Sequence, residues 1–177
     1  MPGPAPWAQE SPRKAPPTGK PAEPGRAQSP SITFGGRARK EVLENPYPFR
    51  TTPNIVGDAV KAVIQEQQLE MDPTTSRPRE GVIVTKPYVF AKGISTASEL
   101  LRVSSPPAEE THNWDSARYR LDIRVTLAEA NLTRVTVNAL IEGRTQGVLS
   151  SGWLKADSKG LLENEFLVAL RGKIEIK

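Results

Sequence analysis

The chain contains no cysteine among its 177 residues. This absence excludes disulfide bonds, a thiol nucleophile, thiolate zinc sites and lipidation of a cysteine within the chain. His112 is the only histidine, which excludes a cluster of histidine ligands, and it falls in a polar loop after Pro106-Pro107, so we expect no Ser-His-Asp triad. Carboxylates are scattered, and neither a phosphate-binding loop nor a calcium-binding loop is present. We therefore expect a protein that is not an enzyme, with no catalytic residues, no cofactor and no metal site.

Long apolar runs are also lacking. No stretch approaches 18 consecutive apolar residues, which excludes a membrane-spanning helix of ordinary length. The first residues contain no apolar segment of the kind found in a signal peptide. Two expectations for localisation follow. Either the protein is cytoplasmic, or it belongs to the bacterial envelope and its export signal lies outside this chain, with membrane attachment only through an anchor not present here.

Proline and charge divide the chain into two parts. Nine of the 17 prolines lie in the first 30 residues, and residues 1–40 contain seven basic and two acidic side chains, a net charge of +5. Such a segment cannot bury enough apolar surface to offset its ordering entropy. We predict a disordered proline-rich basic tail over residues 1–45 and a single domain over residues 46–177.

The predicted domain is close to electrical neutrality. Residues 41–177 contain 17 basic and 18 acidic side chains, so the high isoelectric point belongs mainly to the tail. A fold that grips nucleic acid should be basic on its folded surface. Nucleic acid is therefore an unlikely partner of the domain, and any binding to it should reside in the tail.

Hydrophobic periodicity gives most of the elements. Apolar residues at helical spacing predict a helix over 53–70, with Thr52 as its cap, and a second helix capped by Asp157-Ser158. A strand is predicted over 81–90, weakened at its end by Pro87. Residues 91–112 resist assignment, and 143–152 are predicted to be a loop.

The strongest pattern is a strict alternation of apolar and polar residues from Ala117 to Leu127, repeated from Val135 to Ile141 after a turn near Asn131. Alternation of this kind predicts an antiparallel hairpin with one dry and one wet face. The predicted fold is an α+β two-layer sandwich, in which two helices pack on one face of an antiparallel sheet.

Four arginines fall on the predicted wet face, namely Arg118, Arg120, Arg124 and Arg134. Arginine side chains bind carboxylates and phosphates through paired hydrogen bonds, so this face is a candidate surface for an anionic partner. A solvated sheet face, interrupted by Asp122, is the alternative. The face contains no aromatic residues on these strands for stacking bases, which argues against recognition of single-stranded RNA.

The order of these elements resembles the helix-grip domains of bacterial envelope lipoproteins, such as the C subunit of the outer-membrane β-barrel assembly machine. The matching segments are 53–71, 81–90, 117–141 and 157–170. The resemblance implies a non-catalytic envelope (periplasmic) accessory protein held through a flexible tether, although the lipidated cysteine of that family is missing here.

Three functions stay open at this point. The first is a tethered protein-interaction or scaffolding module with a protein partner. The second is a carrier of a small apolar ligand between the sheet and the C-terminal helix. The third is a nucleic-acid accessory protein that acts through its basic tail.

Overall fold

The computed structural model describes residues 41–107, 113–145 and 152–175. The predicted tail, His112 and most of the predicted 143–152 loop lie outside these residues. Seven strands and three α-helices follow one another along the described chain: β1 Tyr47–Phe49, α1 Pro53–Glu66, β2 Val82–Val84, β3 Tyr88–Lys92, α2 Thr96–Val103, β4 Ser104–Ser105, β5 Trp114–Glu129, β6 Leu132–Thr145, β7 Trp153–Ser158 and α3 Leu161–Glu175. The structure confirms the α+β class.

The hairpin of β5 and β6 forms the centre of one antiparallel sheet. Its two strands pair along almost their whole length and are joined by a tight turn, in which Asn131 adopts the left-handed backbone conformation with φ of 62°. On its outer side β5 pairs with β2 and then β3, while β6 pairs with β1 and then β7. The short β4 extends the sheet beyond β7.

The core lies on one face of this sheet, as the alternation predicts. Leu121, Ile123 and Val137 contribute from the hairpin and are at most 1% exposed. They pack against the apolar stripe of α1, formed by Val56, Val60, Val63 and Ile64, and against Phe166, Leu167 and Leu170 of α3. Because side chains alternate along a strand, burial of this set directs the intervening residues to the other face.

Both predicted helices are present, and a third helix, α2, occupies the segment that resisted assignment. The eight residues of α2 pack on the same face as the other helices, over a second cluster that includes Leu100, Val103, Trp114 and Ile141. Only two apolar side chains of α2 are buried, while Leu101 is half exposed, so the helical period is hard to see in the sequence. The described part of this segment therefore adds to the core.

Several predicted boundaries also change. The predicted strand over 81–90 is in fact two strands, β2 and β3, which residues 85–87 separate. The predicted loop over 143–152 includes the last three residues of β6. The first helix ends at Glu66 rather than near residue 70, and Thr52 occupies its N-cap without a side-chain hydrogen bond. The last helix begins at Leu161, three residues after Ser158.

The residues just before β1 contact the domain, although they were assigned to the tail. The Asn45 side chain donates to the Val137 carbonyl at 2.6 Å and accepts from the Val137 amide at 3.1 Å. Glu41 accepts two hydrogen bonds from the guanidinium of Arg171 on α3, at 2.7 and 2.5 Å. These hydrogen bonds hold the pKa of Glu41 below its ordinary value of 4.5 and raise the pKa of Arg171. Residues 41–45 are thus part of the folded unit.

None of the helices in the described segments combines the length and the apolar character needed to cross a membrane.

Candidate functional site

The face of the sheet opposite the helices is the candidate site, and we call it the open face. It is formed by the residues of the three adjacent strands that alternate with the core positions: Arg118, Arg120, Asp122, Arg124 and Thr126 on β5, Arg134, Thr136, Asn138, Leu140, Glu142 and Arg144 on β6, and Trp153 and Lys155 on β7. All three described helices pack on the other side of the sheet.

The four predicted arginines all lie on the open face, but they are not equivalent. Arg118 pairs with Glu142 in the strand register, whereas Arg120 lies opposite Leu140. Arg124 is opposite Thr136, and Arg134 is opposite Thr126, one step further along the same face. Arg124 and Arg134 are therefore diagonal neighbours, at a Cα separation of roughly 7–8 Å. Arg118 and Arg120 lie toward the other end of the hairpin.

Arg118 is held by two neighbours on adjacent strands. Its Nε donates to Glu142 Oε2 at 2.7 Å, and its guanidinium carbon lies 3.9 Å from the centre of the Trp153 ring. The side chain is 27% exposed, so these contacts are partly shielded from solvent. A cation over an indole ring is attracted by the negative face of the π-system. Arg118 therefore links β5, β6 and β7.

Arg144, which was not predicted as a site residue, completes this arrangement. Its Nε and Nη2 donate to the two carboxylate oxygens of Asp115 at 3.2 and 3.0 Å, a bidentate geometry that suits the planar guanidinium. Asp115 raises the pKa of Arg144 through this hydrogen bonding, and Arg144 also lies 5.6 Å from the centre of the Trp153 ring. We call Asp115, Arg118, Glu142, Arg144 and Trp153 the arginine–tryptophan cluster.

Two residues of this cluster, Arg144 and Trp153, are not predicted to lie on the wet face. The predicted second strand ends at Ile141, which leaves Arg144 in a predicted loop, and no strand is predicted over 153–158, which leaves Trp153 unplaced. The signal that could have found β7 is its short alternation, in which Leu154 and Ala156 face the second core cluster while Trp153 and Lys155 point the other way.

The remaining three predicted arginines have few partners. Arg120 and Arg134 are exposed and form no ion pair within the described part of the chain. Arg124 has one carboxylate near it, but its Nε lies 3.6 Å from Asp122 Oδ1, beyond hydrogen-bonding distance. We call Arg120, Arg124 and Arg134 the arginine row. Its side chains keep their hydrogen-bond donors available for a ligand.

Asp122 lies between Arg120 and Arg124 and interrupts the positive row. Its Oδ1 is buried and has no hydrogen-bond partner among the described residues. At the far end of the row, an open concavity of about 520 Å³ is lined by Arg134, Glu44, Asn45, Pro46 and Pro48. The row is thus a local positive feature on a surface that also contains acidic groups.

The described residues offer no cluster of three or more His, Asp or Glu side chains that could hold a metal ion. The most strongly perturbed phenol is that of Tyr119, whose pKa burial raises to about 12. A phenol with this pKa stays protonated at neutral pH, and Tyr119 packs between Tyr88 and Phe90.

Packed side chains fill the space between the sheet and α3, which is where the carrier hypothesis places a small apolar ligand. Phe166, Leu167 and Leu170 are fully buried there. Interiors packed in this way contain few voids larger than a water molecule. A concavity of about 420 Å³ lies elsewhere, beside the end of α1. Its lining residues are half polar and half apolar: Lys61, Ile64, Gln65, Leu69, Glu70 and Met71.

No protein-family model matches the chain, and a search of the curated proteins found no sequence that is significantly similar to it.

Proposed function

We propose that this chain is a non-catalytic interaction or scaffolding module that binds a protein partner through the open face of its sheet, with the proline-rich N-terminal segment as its tether. One observation carries the proposal. The arginines gather on the sheet face that the described helices leave uncovered, and three of them have free hydrogen-bond donors. Arginine is enriched at protein interfaces, where its planar group recognises carboxylates.

The charge of the domain favours a protein over nucleic acid as this partner. The net charge of residues 41–177 is −1, and the open face itself contains Asp122 and Glu142. Affinity for nucleic acid depends on neutralising many phosphates at once, which needs a broad basic surface. A protein surface presents a few carboxylates at fixed positions, which a few arginines can match.

The compartment we propose is the bacterial envelope. Support for this part comes from the resemblance of the element order to helix-grip domains of envelope lipoproteins, and from a proline-rich segment that suits a spacer between an anchor and a domain. Reading the genomic sequence upstream of Met1 and fractionating cells that make the protein tests it. Recovery in the cytoplasmic fraction, without any export signal in the gene, would refute this assignment.

Photo-crosslinking in the native cell tests the binding surface. A photoreactive residue at Asn138, an exposed position of the open face opposite Asp122, should form a discrete crosslink to a partner protein. The matched control is the same residue at Gln65, an exposed position of α1. The Asn138 crosslink should disappear when Arg120 and Arg124 are replaced by Glu. Crosslinks that form at Gln65 and not at Asn138 would show that another surface is used.

A further inference from the structure

We infer that the two halves of the open face have different roles: the arginine row binds an extended acidic segment of the partner protein, whereas the arginine–tryptophan cluster fixes the sheet and does not contact the partner. This inference rests on the proposed function and specifies its ligand. It follows from the pairing of the individual arginines. Two of them are bound by carboxylates of the fold, and three are not.

The cluster arginines have little binding capacity left. Arg118 donates to Glu142 and covers one face of Trp153, and Arg144 is engaged by both oxygens of Asp115. A carboxylate ligand would have to displace an internal carboxylate that the fold already holds in place. Such a replacement exchanges one ion pair for another, so it adds little net affinity. The cluster instead joins three strands through side chains.

The row arginines are in the opposite situation. Arg120 and Arg134 form no ion pair within the described residues, and Arg124, whose side chain is 62% exposed, approaches Asp122 only at 3.6 Å. Arg120 and Arg124 are four residues apart on one strand, a separation of about 13 Å. Arg134, opposite Thr126, extends this line to about 20 Å. Acidic side chains four residues apart in an extended peptide have the same spacing as the first two arginines.

The surroundings of the row select a peptide over a polyanion. Asp122, between Arg120 and Arg124, repels a continuous line of phosphates, which are fixed along a backbone. A peptide can place at that point a neutral residue, or a glutamate whose flexible side chain turns toward solvent. The ring of Trp153, the aromatic residue of the open face, is covered by Arg118 at 3.9 Å, so that face of it cannot stack on a base. A segment with acidic residues four positions apart therefore matches Arg120 and Arg124, and the residue midway between them need not be charged.

The first experiment is an NMR titration of the ¹⁵N-labelled full chain with a hexaglutamate peptide at low salt, following the Nε–Hε signals of the arginines. We expect the signals of Arg120, Arg124 and Arg134 to shift, while those of Arg118 and Arg144 stay in place. Shifts confined to Arg118, Arg144 and the Trp153 indole would overturn the inference and leave the proposed function standing. A titration that moves none of these five arginine signals would also overturn it.

Charge-matched variants provide the second experiment. The triple variant Arg120→Gln, Arg124→Gln, Arg134→Gln should weaken hexaglutamate binding about tenfold or more, since each exposed pair contributes roughly two- to fivefold. The control removes three exposed arginines outside the open face, Arg50→Gln, Arg77→Gln and Arg79→Gln, and should weaken binding less than about threefold through net charge alone. Equal losses in the two triples would overturn the inference.

The class of ligand is tested with the same protein. Oligothymidylate and vesicles of phosphatidylglycerol and phosphatidylcholine replace hexaglutamate at about 0.15 M salt. Row-dependent binding to either of them that is tighter than binding to hexaglutamate would refute an acidic protein segment as the ligand. If the Asn138 crosslink in cells is absent while hexaglutamate still binds the row, the proposed function fails and the assignment of the anion-binding residues stands.

Discussion

Gly143 lies where the sheet, Trp114 and α2 come closest together, and its replacement by alanine tests how tightly this region is packed. A Cβ atom at this position would lie 2.5 and 2.6 Å from two ring carbons of Trp114 and 2.8 Å from Leu100 Cδ2. Trp114 is 7% and Leu100 0% exposed, so neither side chain can move into solvent. We expect Gly143→Ala to lower the free energy of unfolding by about 1–3 kcal/mol, as for other overpacked cores.

The matched control is Gly57→Ala in the middle of α1, where an added Cβ meets nothing within 4 Å. This change should stabilise the protein by about 0.5–1 kcal/mol, because alanine is the better helix former. Urea unfolding of the full chain, followed by circular dichroism, measures both. Leu100→Ala in the Gly143→Ala background should be less damaging than the sum of the single changes, because it makes room for the new methyl group. Gly143→Ala with wild-type stability, or strict additivity with Leu100→Ala, would show that the close approach is not as the structure describes.

Three further predictions concern the sheet and the ion pair between Glu41 and Arg171 of α3. Leu121→Ala should cost about 2–5 kcal/mol as a buried large-to-small change, whereas Arg120→Ala on the open face should cost less than about 0.5 kcal/mol in the same denaturant titration. Arg118→Ala should destabilise the protein measurably more than Arg120→Ala, because it leaves a partly buried carboxylate unpaired; equal effects would argue against the cluster. The Arg171 hydrogen bonds lower the pKa of Glu41, so they stabilise the fold above the ordinary value of 4.5 and are lost as the pH falls through the lowered value. The difference in unfolding free energy between the wild type and Glu41→Gln should therefore be present at pH 7 and shrink in acid, and a difference that grew in acid would contradict this.

The long hairpin could be predicted because its signal is local and repeated. Residues from Ala117 to Val125 alternate without interruption, and every second one is needed to cover the same core. A shift of one residue would expose the whole apolar set, so the pattern determines which residues face the helices. The same argument placed all four arginines on the opposite face before any pairing was known.

The pairing of the arginines could not be predicted, because it depends on the register of the hairpin. The structure contains a bulge between Leu127 and Glu129, close to the turn, which shifts the pairing by one residue. Counting outward from the turn would therefore give the wrong partner for every residue beyond it. Only the observed register places Glu142 opposite Arg118 and leaves Arg120 opposite Leu140.

The short elements were missed for a different reason. The helix α2 contains eight residues, about two turns, and the strand β7 contains six. A periodic pattern repeats too few times over such lengths to be recognised. Isolated segments of this length are not stable in water, so their structure depends on tertiary contacts. In α2 those contacts are made by Leu100 and Val103, which share a cluster with Ile141 and Ala156 from a distant part of the chain.

Most backbone groups on the outer edges of β5 and β6 are already hydrogen-bonded, which favours the face of the sheet over its edge as the surface for the proposed partner. Each long strand pairs with two short ones, and side chains fill the gaps between them. Beside β5, the Thr85 hydroxyl accepts a hydrogen bond from the Leu121 amide at 2.8 Å. Beside β6, the Asn45 side chain accepts from the Val137 amide, and the Glu163 carboxylate accepts from the Ala139 amide at 3.1 Å.

These gap-filling side chains satisfy backbone groups that would otherwise have to bind another strand. The described strands on the outside of the hairpin are only two to six residues long, and short edge strands are poor templates for the addition of an extended peptide. A partner that recognised this domain through backbone pairing would find few consecutive free groups. Under the proposed function, recognition therefore falls to side chains, and among the described arginines of the open face those of the arginine row have no side-chain hydrogen bond to another described residue.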